Sequence, residues 1–313
     1  MAYINVDEVY ILDNTGLQVD MATDIPFVDA GFTDAQKEQA RKNIAAGGTN
    51  PNLLDNPFFQ VNQRQTTTTS SANAYIADRW VVSGNTYTFT YGRAAVSVTN
   101  ASSSLAYLFQ KLPTEVYDDI DGKTVTYSVK IDGVVHSVSF IWDKTLRNSP
   151  ITIPSLNDDM RFWYGDQGQP CLQIRVSGTW TINAVKLELG SVSTLANDAP
   201  PDYATELAKC QMYLRSIYAR SGGTYVGIGM GFSSNSYEIE LPFSMRATPT
   251  ASYSGTIEIY APSGTHTVSA VSVVSASTDT VELRFTVSGT VTTYENGHIY
   301  MANGAKILLS ADL

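Results

Sequence analysis

The stretch KTVTYSVKIDGVVHSVSFIW, residues 123–142, decides the fold class of this chain. Four apolar residues in its first half alternate with polar ones: Val125, Tyr127, Val129 and Ile131. This period of two indicates a half-buried β-strand. Asp132 and Gly133 then offer the two residues of a tight hairpin turn, and Val134 begins a second alternating run. The sequence therefore predicts an antiparallel β-hairpin here.

The same pattern extends in both directions along the chain. Residues 178–190 form another alternating run that ends at a glycine, and alternation punctuated by turn residues begins at Asn52. Many short strands without helices between them predict an antiparallel sandwich or jelly roll. A second β-patterned region follows, with strand candidates at Glu238–Phe243, Ala251–Tyr260, His266–Val274, Val281–Val287 and Ala305–Leu309.

Two segments have helical patterns. The first, Thr33–Ala46, begins with a capping box and ends at two glycines. The second is expected over Tyr203–Arg220, with Asp202 as its N-cap. Its apolar stripe, at spacings of three and four, comprises Leu207, Cys210, Leu214 and Ile217. Because one helix between two β regions cannot bury this stripe alone, the stripe must pack on a neighbouring domain or on copies of the chain. We expect copies of the chain to associate through it.

These patterns divide the chain into four parts and make its predicted fold class mainly β. Residues 1–48 contain little periodic apolar sequence, so this segment with its short helix is expected to gain order from partners and to be dispensable for folding of the rest. Residues 49–200 are predicted to form a jelly-roll β-sandwich, 201–223 a linking helix, and 224–313 a small C-terminal β-sandwich.

Composition narrows the classes of function. The 313 residues are 43% hydrophobic and only 16% charged, which excludes a coiled-coil rod and a disordered acidic chain. A formal net charge of -10 argues against nucleic acid as a partner. The sequence shows no export signal and no run of the roughly 18 apolar residues that a membrane span needs. Cys171 and Cys210 lack the spacing of a zinc site, so we expect buried thiols and predict no metal or cofactor.

Three stretches of the chain resemble segments of bacteriophage tail-fibre and receptor-binding proteins. They are Asn52–Arg64 (NLLDNPFFQVNQR) followed by Tyr75–Trp80 (YIADRW), Val185–Thr194 (VKLELGSVST) leading into Glu206–Gln211 (ELAKCQ), and Leu241–Thr250 (LPFSMRATPT). Their order and spacing are also similar to those of the family. Together with the helix Thr33–Ala46 they span most of the chain.

The resemblance implies a fibre module with a carbohydrate-binding-module-like jelly roll, a short helix and a small β-sandwich, assembled as a homotrimer. It also implies that residues 1–48 attach to other virion proteins, that the fibre is exposed on the virion after synthesis in the bacterial cytoplasm, and that the ligand is a bacterial surface polysaccharide. Two alternatives stay open at this point: a capsid head fibre or decoration protein with a structural role, and a polysaccharide-cleaving tail spike.

Glycan binding needs flat aromatic faces beside amide, carboxylate or hydroxyl groups. Residues 161–167, RFWYGDQ, have this composition, so Trp163, Tyr164 and Asp166 are candidate ligand-binding residues in an expected loop. The alternative is that Phe162 and Trp163 are the core and surface positions of a strand. Trp80 and Trp180 are expected in the core, whereas the pattern around Trp142 fits either place.

A second candidate site lies in the C-terminal region, in the Ser-, Asn- and Gly-rich segment 231–237. Phe232, Asn235 and Tyr237 are its candidate ligand-binding residues. Loops at the end of a β-sandwich commonly carry recognition, since the scaffold holds them in place. We therefore expect the receptor contact in residues 221–313, with the middle domain as a spacer or secondary glycan site.

No motif for catalysis emerges. Three acidic groups provide paired carboxylates of the kind a glycosidase needs: Asp118-Asp119-Ile120-Asp121, Asp158-Asp159 and Glu238-Ile239-Glu240. The first fits a hairpin turn better, or a fragment of a calcium loop that lacks the distal bidentate Glu. Solvent exposure on one face of a strand explains the third. The three histidines are scattered singly, so neither a metal cluster nor a catalytic triad is indicated. The sequence therefore predicts a binding protein rather than an enzyme.

Overall fold

The computed structural model describes residues 50–312, except 85–86, 101–103, 166–168, 176 and 278 and the side chains of 157–158, together with two short strands near the N-terminus. The chain divides into two compact units, residues 1–49 and 50–313. In the first unit, β1 (Tyr10–Leu12) pairs antiparallel with β2 (Gln18–Asp20). The helix predicted over Thr33–Ala46 lies outside the described residues.

The first part of the second unit is a two-layer β-sandwich. Its strands are β3 (Thr68–Thr69), β4 (Ala74–Ala77), β5 (Trp80–Gly84), β6 (Tyr87–Gly92), β7 (Ala95–Asn100), β8 (Ala106–Phe109), β9 (Thr124–Ile131), β10 (Val134–Ile141), β11 (Ser149–Ile153), β12 (Asn157–Tyr164), β13 (Pro170–Ile174) and β14 (Gly178–Leu189). Sheet 1 has the order β10-β9-β14-β7-β6-β3, and sheet 2 has the order β11-β12-β13-β8-β5-β4. A short helix, α1 (Thr114–Asp119), and two 3-10 turns, Pro154–Leu156 and Leu195–Asn197, complete this jelly roll.

The hairpin predicted from residues 123–142 is confirmed. Ile131 pairs with Val134, and both turn residues adopt positive φ angles, 48° at Asp132 and 85° at Gly133. The turn is also tied to β14, because the Gly133 N–H donates to Asn183 Oδ1 at 2.9 Å. Local turn chemistry and the neighbouring strand therefore specify the same conformation.

Aromatic side chains from both sheets fill the centre of the sandwich. Phe162 packs with Tyr127, Phe140 and Tyr164 at centroid distances of 4.9, 4.6 and 4.8 Å. Trp80 and Trp142 are fully buried, and Trp180 is partly buried against the same cluster. Two sheets that bury this cluster between them confirm the mainly β fold.

The second helix is shorter than its apolar pattern suggests. Asp202 caps it as expected, accepting a hydrogen bond from the Thr205 N–H at 2.9 Å, but helix α2 spans only Tyr203–Gln211. The expectation of a helix to Arg220 is therefore wrong: residues 214–218 form β15 (Leu214–Tyr218) instead. This strand pairs with residues 306–310 near the C-terminus. A ladder to a strand so distant in sequence overrides the local helical spacing.

Because the helix ends early, the four residues of the predicted oligomerisation stripe do not lie on one helix face. Cys210 and Leu214 are buried within the chain, and Ile217 packs against the C-terminal apolar cluster. Leu207 is half-buried on α2. The stripe is thus covered mainly by the rest of its own chain, so packing on a neighbouring domain is observed and the expectation of association through this stripe is wrong.

The C-terminal region contains eight further strands. They are β16 (Thr224–Ser233), β17 (Ser236–Leu241), β18 (Thr250–Ser254), β19 (Ile257–Ala261), β20 (Gly264–Ala276), β21 (Val281–Val287), β22 (Asn296–Met301) and β23 (Lys306–Ser310). Six of them close into a barrel of order β16-β17-β21-β20-β19-β22, and β15-β23-β18 form a three-stranded sheet beside it. The sequence predicted a small β-sandwich here, and the pairing of β16 with β22 is what closes the ring.

Glycines face the narrow interior of this barrel. A Cβ on Gly297 would lie 2.4 Å from Ile259 Cγ2 and 2.7 Å from Tyr237 Cε1, and one on Gly231 would lie 2.5 Å from the Thr292 carbonyl. Strand β16 alternates glycine with bulky residues, so its large side chains point outward. The tight interior therefore determines which residues of β16 face solvent.

Residues 52–64 and 75–80 meet residues 206–211 where the jelly roll contacts the C-terminal part. The Asn56 N–H donates to Glu206 Oε1 on α2 at 2.8 Å, and the Asn56 side chain donates to the carbonyls of Val61 and Asp78. Trp80 Nε1–H donates to the Asn56 carbonyl at 2.8 Å. These residues therefore attach the helix to the jelly roll.

Arg79 is the central cation of this junction. Its buried side chain forms an ion pair with Asp55 at 3.1 Å and places its guanidinium 3.5 Å from the ring centroid of Tyr213. A second buried cation, Lys186 in β14, donates to Asp198 Oδ2 at 2.7 Å and to Thr194 Oγ1 at 2.7 Å. Charge-assisted bonds of this kind hold the connecting segment against the sandwich.

Within the described residues, no helix is both long enough and apolar enough to cross a membrane.

Candidate functional site

Strand β12 separates the candidate residues of segment 161–167. This segment was expected as a loop, but residues 161–164 belong to a strand whose side chains alternate between the two faces of sheet 2. Trp163 faces outward and is half-buried, whereas Tyr164 is fully buried in the core, where burial raises its pKa. Tyr164 is therefore not a ligand-binding residue. Asp166 lies outside the described residues.

Trp163 belongs to a row of residues in register across all six strands of sheet 2, on the face opposite the core. From edge to edge the row contains Pro150, Trp163, Cys171, Phe109, Val81 and Tyr75. A parallel row contains Arg161, Gln173, Tyr107 and Ser83. With strands about 4.8 Å apart, the longer row spans roughly 24 Å.

Five residues of the longer row, all but Pro150, line a cross-strand groove of about 480 Å³ together with Tyr107 and Ser83 of the second row. Val81, Phe109 and Cys171 form its apolar floor, and Tyr107 stands beside Trp163 with the ring centroids 6.3 Å apart. Gln173 Nε2 donates to the Tyr107 hydroxyl at 3.3 Å, which orients that ring. The volume and the mixture of aromatic and polar walls are typical of a small-ligand site.

Polar side chains line the rim of the groove. Asn148 precedes β11 and Asn73 precedes β4, so the two lie at opposite edges of sheet 2, each with a positive φ angle that asparagine adopts readily. Gln169 lies over Gly165, where a Cβ would approach Gln169 Oε1 to 2.5 Å. Amide and hydroxyl groups around an apolar floor match the chemistry of sugar hydroxyls.

One end of the groove is supported by the C-terminal part of the chain. The guanidinium of Arg64 lies 3.8 Å from the ring centroid of Tyr75, and Arg64 forms an ion pair with Asp312. Burial, followed by the charge of Asp312, raises the pKa of Tyr75 to about 12. Tyr75 therefore stays protonated and is held in place by residues distant in the sequence.

The thiol of Cys171 on the groove floor is unreactive. It is buried, as is Cys210, which confirms the expectation for both thiols. Burial raises the pKa of the Cys171 thiol well above its usual value. Because the thiolate is the reactive form, Cys171 contributes apolar surface rather than a nucleophile.

The candidate residues of the C-terminal region also separate. Phe232 and Asn235 are exposed at the β16–β17 hairpin, with the Arg284 guanidinium 4.8 Å from the ring centroid of Phe232. Tyr237 is fully buried inside the barrel, where its hydroxyl donates to Glu295 Oε1 at 2.6 Å. Burial and this bond raise the pKa of Tyr237 to about 12. Tyr237 is therefore a core residue, and its assignment as a ligand-binding residue is wrong.

Glu295 organises a polar cluster around Tyr237. Its carboxylate also accepts hydrogen bonds from the Ser263 hydroxyl and from the N–H groups of Ser263 and Thr292. Partial burial by itself raises the pKa of Glu295, but these bonds outweigh it and lower the pKa to about 2. The Ser263 hydroxyl in turn lies 2.9 Å from His266 Nε2. The cluster fastens the β19–β20 turn to the barrel.

Two of the acidic groups noted in the sequence bind cations of the chain itself. Asp118 and Asp121 form ion pairs with Lys144 at 3.2 and 3.5 Å. Glu238 forms an ion pair with Arg284 at 2.5 Å across β17 and β21.

In the part of the chain that the structure describes, no cluster of three His, Cys, Asp or Glu side chains is arranged to hold a metal ion.

Sequence reasoning found Trp163 but missed the rest of the groove. Tyr75, Tyr107, Phe109 and Lys111 lie on β4, β8 and the segment after β8. The signal that marks them is their alternation with buried neighbours, such as Ile76, Leu108 and Gln110. The order of strands that brings them together is not visible in the sequence.

The chain was also compared with known proteins. No protein-family profile matches it, and no curated protein is significantly similar in sequence.

Proposed function

We propose that this chain is a bacteriophage fibre protein whose jelly roll binds a bacterial surface polysaccharide along the cross-strand groove, without cleaving it. Residues 1–48 attach it to other virion proteins, and the β domains are exposed on the virion. The fibre assignment is supported by the resemblance of three stretches, two of which contribute contacts to the junction between the jelly roll and the C-terminal part.

The observation that carries the binding role is the groove itself. Sugar rings present C–H faces that pack on aromatic rings, and their hydroxyl groups bond to amides and hydroxyls. Trp163, Tyr107 and Tyr75 supply the rings, and Asn73, Asn148 and Gln169 supply the amides. The three rings lie on strands of one six-stranded sheet, so this part of the binding surface is already formed before the ligand arrives.

Binding is favoured over cleavage by the state of the carboxylates. A glycosidase needs two free carboxyl groups on either side of the scissile bond. Asp118, Asp121 and Glu238 are instead engaged with Lys144 and Arg284. We therefore assign these acids a structural role in the fold.

The experiment is adsorption of the full-length chain to a panel of bacterial cells, comparing Trp163→Ala with Tyr203→Ala. Each substitution removes one aromatic side chain outside the core, half-buried at Trp163 and exposed at Tyr203, but Tyr203 lies on α2, away from the groove. We expect Trp163→Ala to weaken adsorption at least about tenfold, since it removes both area and ring contact, and Tyr203→Ala to leave it unchanged.

Other outcomes separate the alternatives. Release of reducing ends from a bound polysaccharide would identify a cleaving spike. Absence of binding to every strain would favour a structural decoration protein. If exchanging residues 224–313 changed the adsorbed strain while Trp163→Ala had no effect, the receptor contact would lie in the C-terminal region, as first expected.

We also propose that copies of the chain associate, as a homotrimer, through the outer face of β16 rather than through α2. Tyr225, Ile228, Met230 and Phe232 point outward there with 62, 57, 49 and 52% of their surface exposed. They present on the order of 400 Å² of apolar surface, about half of what one partner contributes to a stable interface. Residues 224–233 carry no charge, so copies with a formal charge of -10 can meet there without direct repulsion.

Light scattering of Ile228→Glu against Ile141→Glu tests this surface. Both isoleucines are exposed on strands, but Ile141 lies on β10 of the jelly roll. We expect Ile228→Glu to yield monomers and Ile141→Glu to leave the trimer intact, because only the first places charge in the interface. A monomer for the unmodified chain would refute the proposal.

A further inference from the structure

Lys111 occupies a fixed place in the groove. It follows β8, where the outward residues Tyr107 and Phe109 alternate with inward ones, and it lines the same groove as they do. The inward neighbour Gln110 is buried and exchanges two 2.8 Å hydrogen bonds with the backbone of Asp55. The Lys111 carbonyl accepts a 2.7 Å hydrogen bond from Arg79 Nη2.

The backbone on both sides of the Lys111 side chain is thus anchored to the junction. Since neither Gln110 nor Arg79 can shift without breaking buried hydrogen bonds, the backbone position of Lys111 at the groove is determined by the fold.

The charge of Lys111 is not balanced by the chain. Among the described residues no carboxylate lies within ion-pair distance of its ammonium group, whereas Lys144, Lys186 and Lys209 each contact one or more. Lys111 is also the one charged residue among the described residues that line the groove. The groove therefore presents a positive charge in a chain whose net charge is -10.

We propose that the groove selects an acidic polysaccharide, one that carries a carboxylate or a phosphate on the unit seated next to Lys111. This inference rests on the proposed glycan-binding function and names the class of its ligand. The aromatic rings bind the sugar faces of any glycan, and the rim amides bind hydroxyls. Lys111 adds a charge-assisted bond that a neutral glycan does not make.

The same arrangement explains how an acidic protein recognises an acidic polymer. The net negative charge of the chain opposes the approach of a polyanion at long range, but salt screens that repulsion beyond about 8 Å at physiological ionic strength. A contact within the groove is shorter than this and partly shielded from solvent. The attraction at Lys111 is therefore retained where the general repulsion is weak.

The test uses an array of purified bacterial surface polysaccharides, each printed in three forms. One form is native, one has its carboxylates reduced to alcohols, and one has its phosphates removed. The full-length chain is applied together with the variants Lys111→Gln, Lys111→Arg and Lys130→Gln. Lys130 lies on β9 in sheet 1, so its loss changes the net charge equally without touching the groove.

We expect the unmodified chain to bind native acidic polysaccharides roughly 10-fold or more tightly than their neutralised forms. Lys111→Gln should abolish that preference while retaining the weaker binding to the neutralised forms, Lys111→Arg should keep much of it, and Lys130→Gln should behave like the unmodified chain. Loss of binding on carboxyl reduction identifies a uronic-acid type of ligand, and loss on dephosphorylation identifies a phosphate-bearing one.

Equal binding to native and neutralised forms would overturn the acidic-ligand inference while leaving glycan binding intact. A preference that Lys130→Gln reduces as much as Lys111→Gln would also overturn it, since net charge rather than the groove would then explain the result. Binding to no polysaccharide on the array would reject the proposed glycan-binding function, and the inference with it.

Discussion

The jelly roll and the C-terminal barrel both expose aromatic side chains, but for different structural reasons. In the jelly roll, a wide two-layer core accepts Phe162, Tyr164 and Trp142, and a separate row on the outer face of sheet 2 forms a groove with polar rims. In the barrel, the interior leaves no space for a side chain at glycines such as Gly231 and Gly297, and β16 directs its large residues outward.

This difference separates recognition from packing. A concave surface that combines aromatic rings with amides and a cation suits a polar ligand, whereas an uncharged apolar strip on the convex outside of a barrel suits another protein surface. Aromatic content alone does not distinguish the two, since both regions are rich in it. What distinguishes them is the groove on the outer face of sheet 2 and the polarity of the neighbouring side chains.

The largest expected effect concerns two adjacent residues of β12. Phe162→Ala should destabilise the jelly roll by about 4 kcal/mol, because it leaves a cavity among four contacting aromatic rings. Trp163→Ala should cost less than about 1 kcal/mol in stability, since that side chain lies on the outer face. Urea unfolding of both variants provides the measurement. Similar losses for the two would mean that Trp163 belongs to the core and that the groove is not a preformed site.

The next effect tests the narrow barrel. Gly297→Val should destabilise the C-terminal region by about 3 kcal/mol, because the new side chain overlaps Ile259 and Tyr237. Gly92→Ala in the jelly roll is the control, since its Cβ would meet no atom closer than 3.6 Å. Thermal unfolding followed by tyrosine fluorescence compares them. If Gly297→Val left the melting temperature unchanged, the barrel interior would have space for a larger side chain. Its glycines would then not determine the outward face of β16.

The smallest expected effect is a pH dependence of the stability that Glu295 gives to the barrel. The pKa of Glu295, about 2, lies below its usual 4.5, so the carboxylate stabilises the fold above about pH 4.5 and this contribution is lost as the pH falls towards 2. Glu295→Gln should lower the melting temperature at pH 7 and have little effect at pH 2. Glu240→Gln, at an exposed position of β17, should change neither value. An equal effect of Glu295→Gln at both pH values would exclude the charge as the cause.

Local patterns identified much of the jelly roll in advance. The hairpin at Asp132-Gly133, the long strand beginning at Gly178 and the cap at Asp202 are confirmed, because each depends on residues within a few positions of one another. The same reasoning failed at Leu214 and Ile217. Their spacing fits a helix, but pairing with β23 about ninety residues later places them in a strand.

The candidate site was only partly visible. Trp163 was identified by composition, whereas Tyr164 and Tyr237 were assigned to ligand binding on the same ground and are buried. Alternation along β12 was enough to place Trp163 and Tyr164 on opposite faces, but not to say which face is the core. That choice depends on the second sheet, which buries one side of each strand and leaves the other to solvent.

By itself, the sequence determined the mainly β fold, the tight turns, the helix cap and the absence of charge in β16, because these depend on side-chain chemistry and short-range spacing. The tertiary structure alone decided that six residues from six strands form one row, that β16 and β22 close a barrel, and that Arg64, Tyr75 and Asp312 meet at the end of the groove. The physical reason is the same in each case. Contacts between distant segments are selected by the burial of apolar surface shared among many strands, and no single segment carries that information.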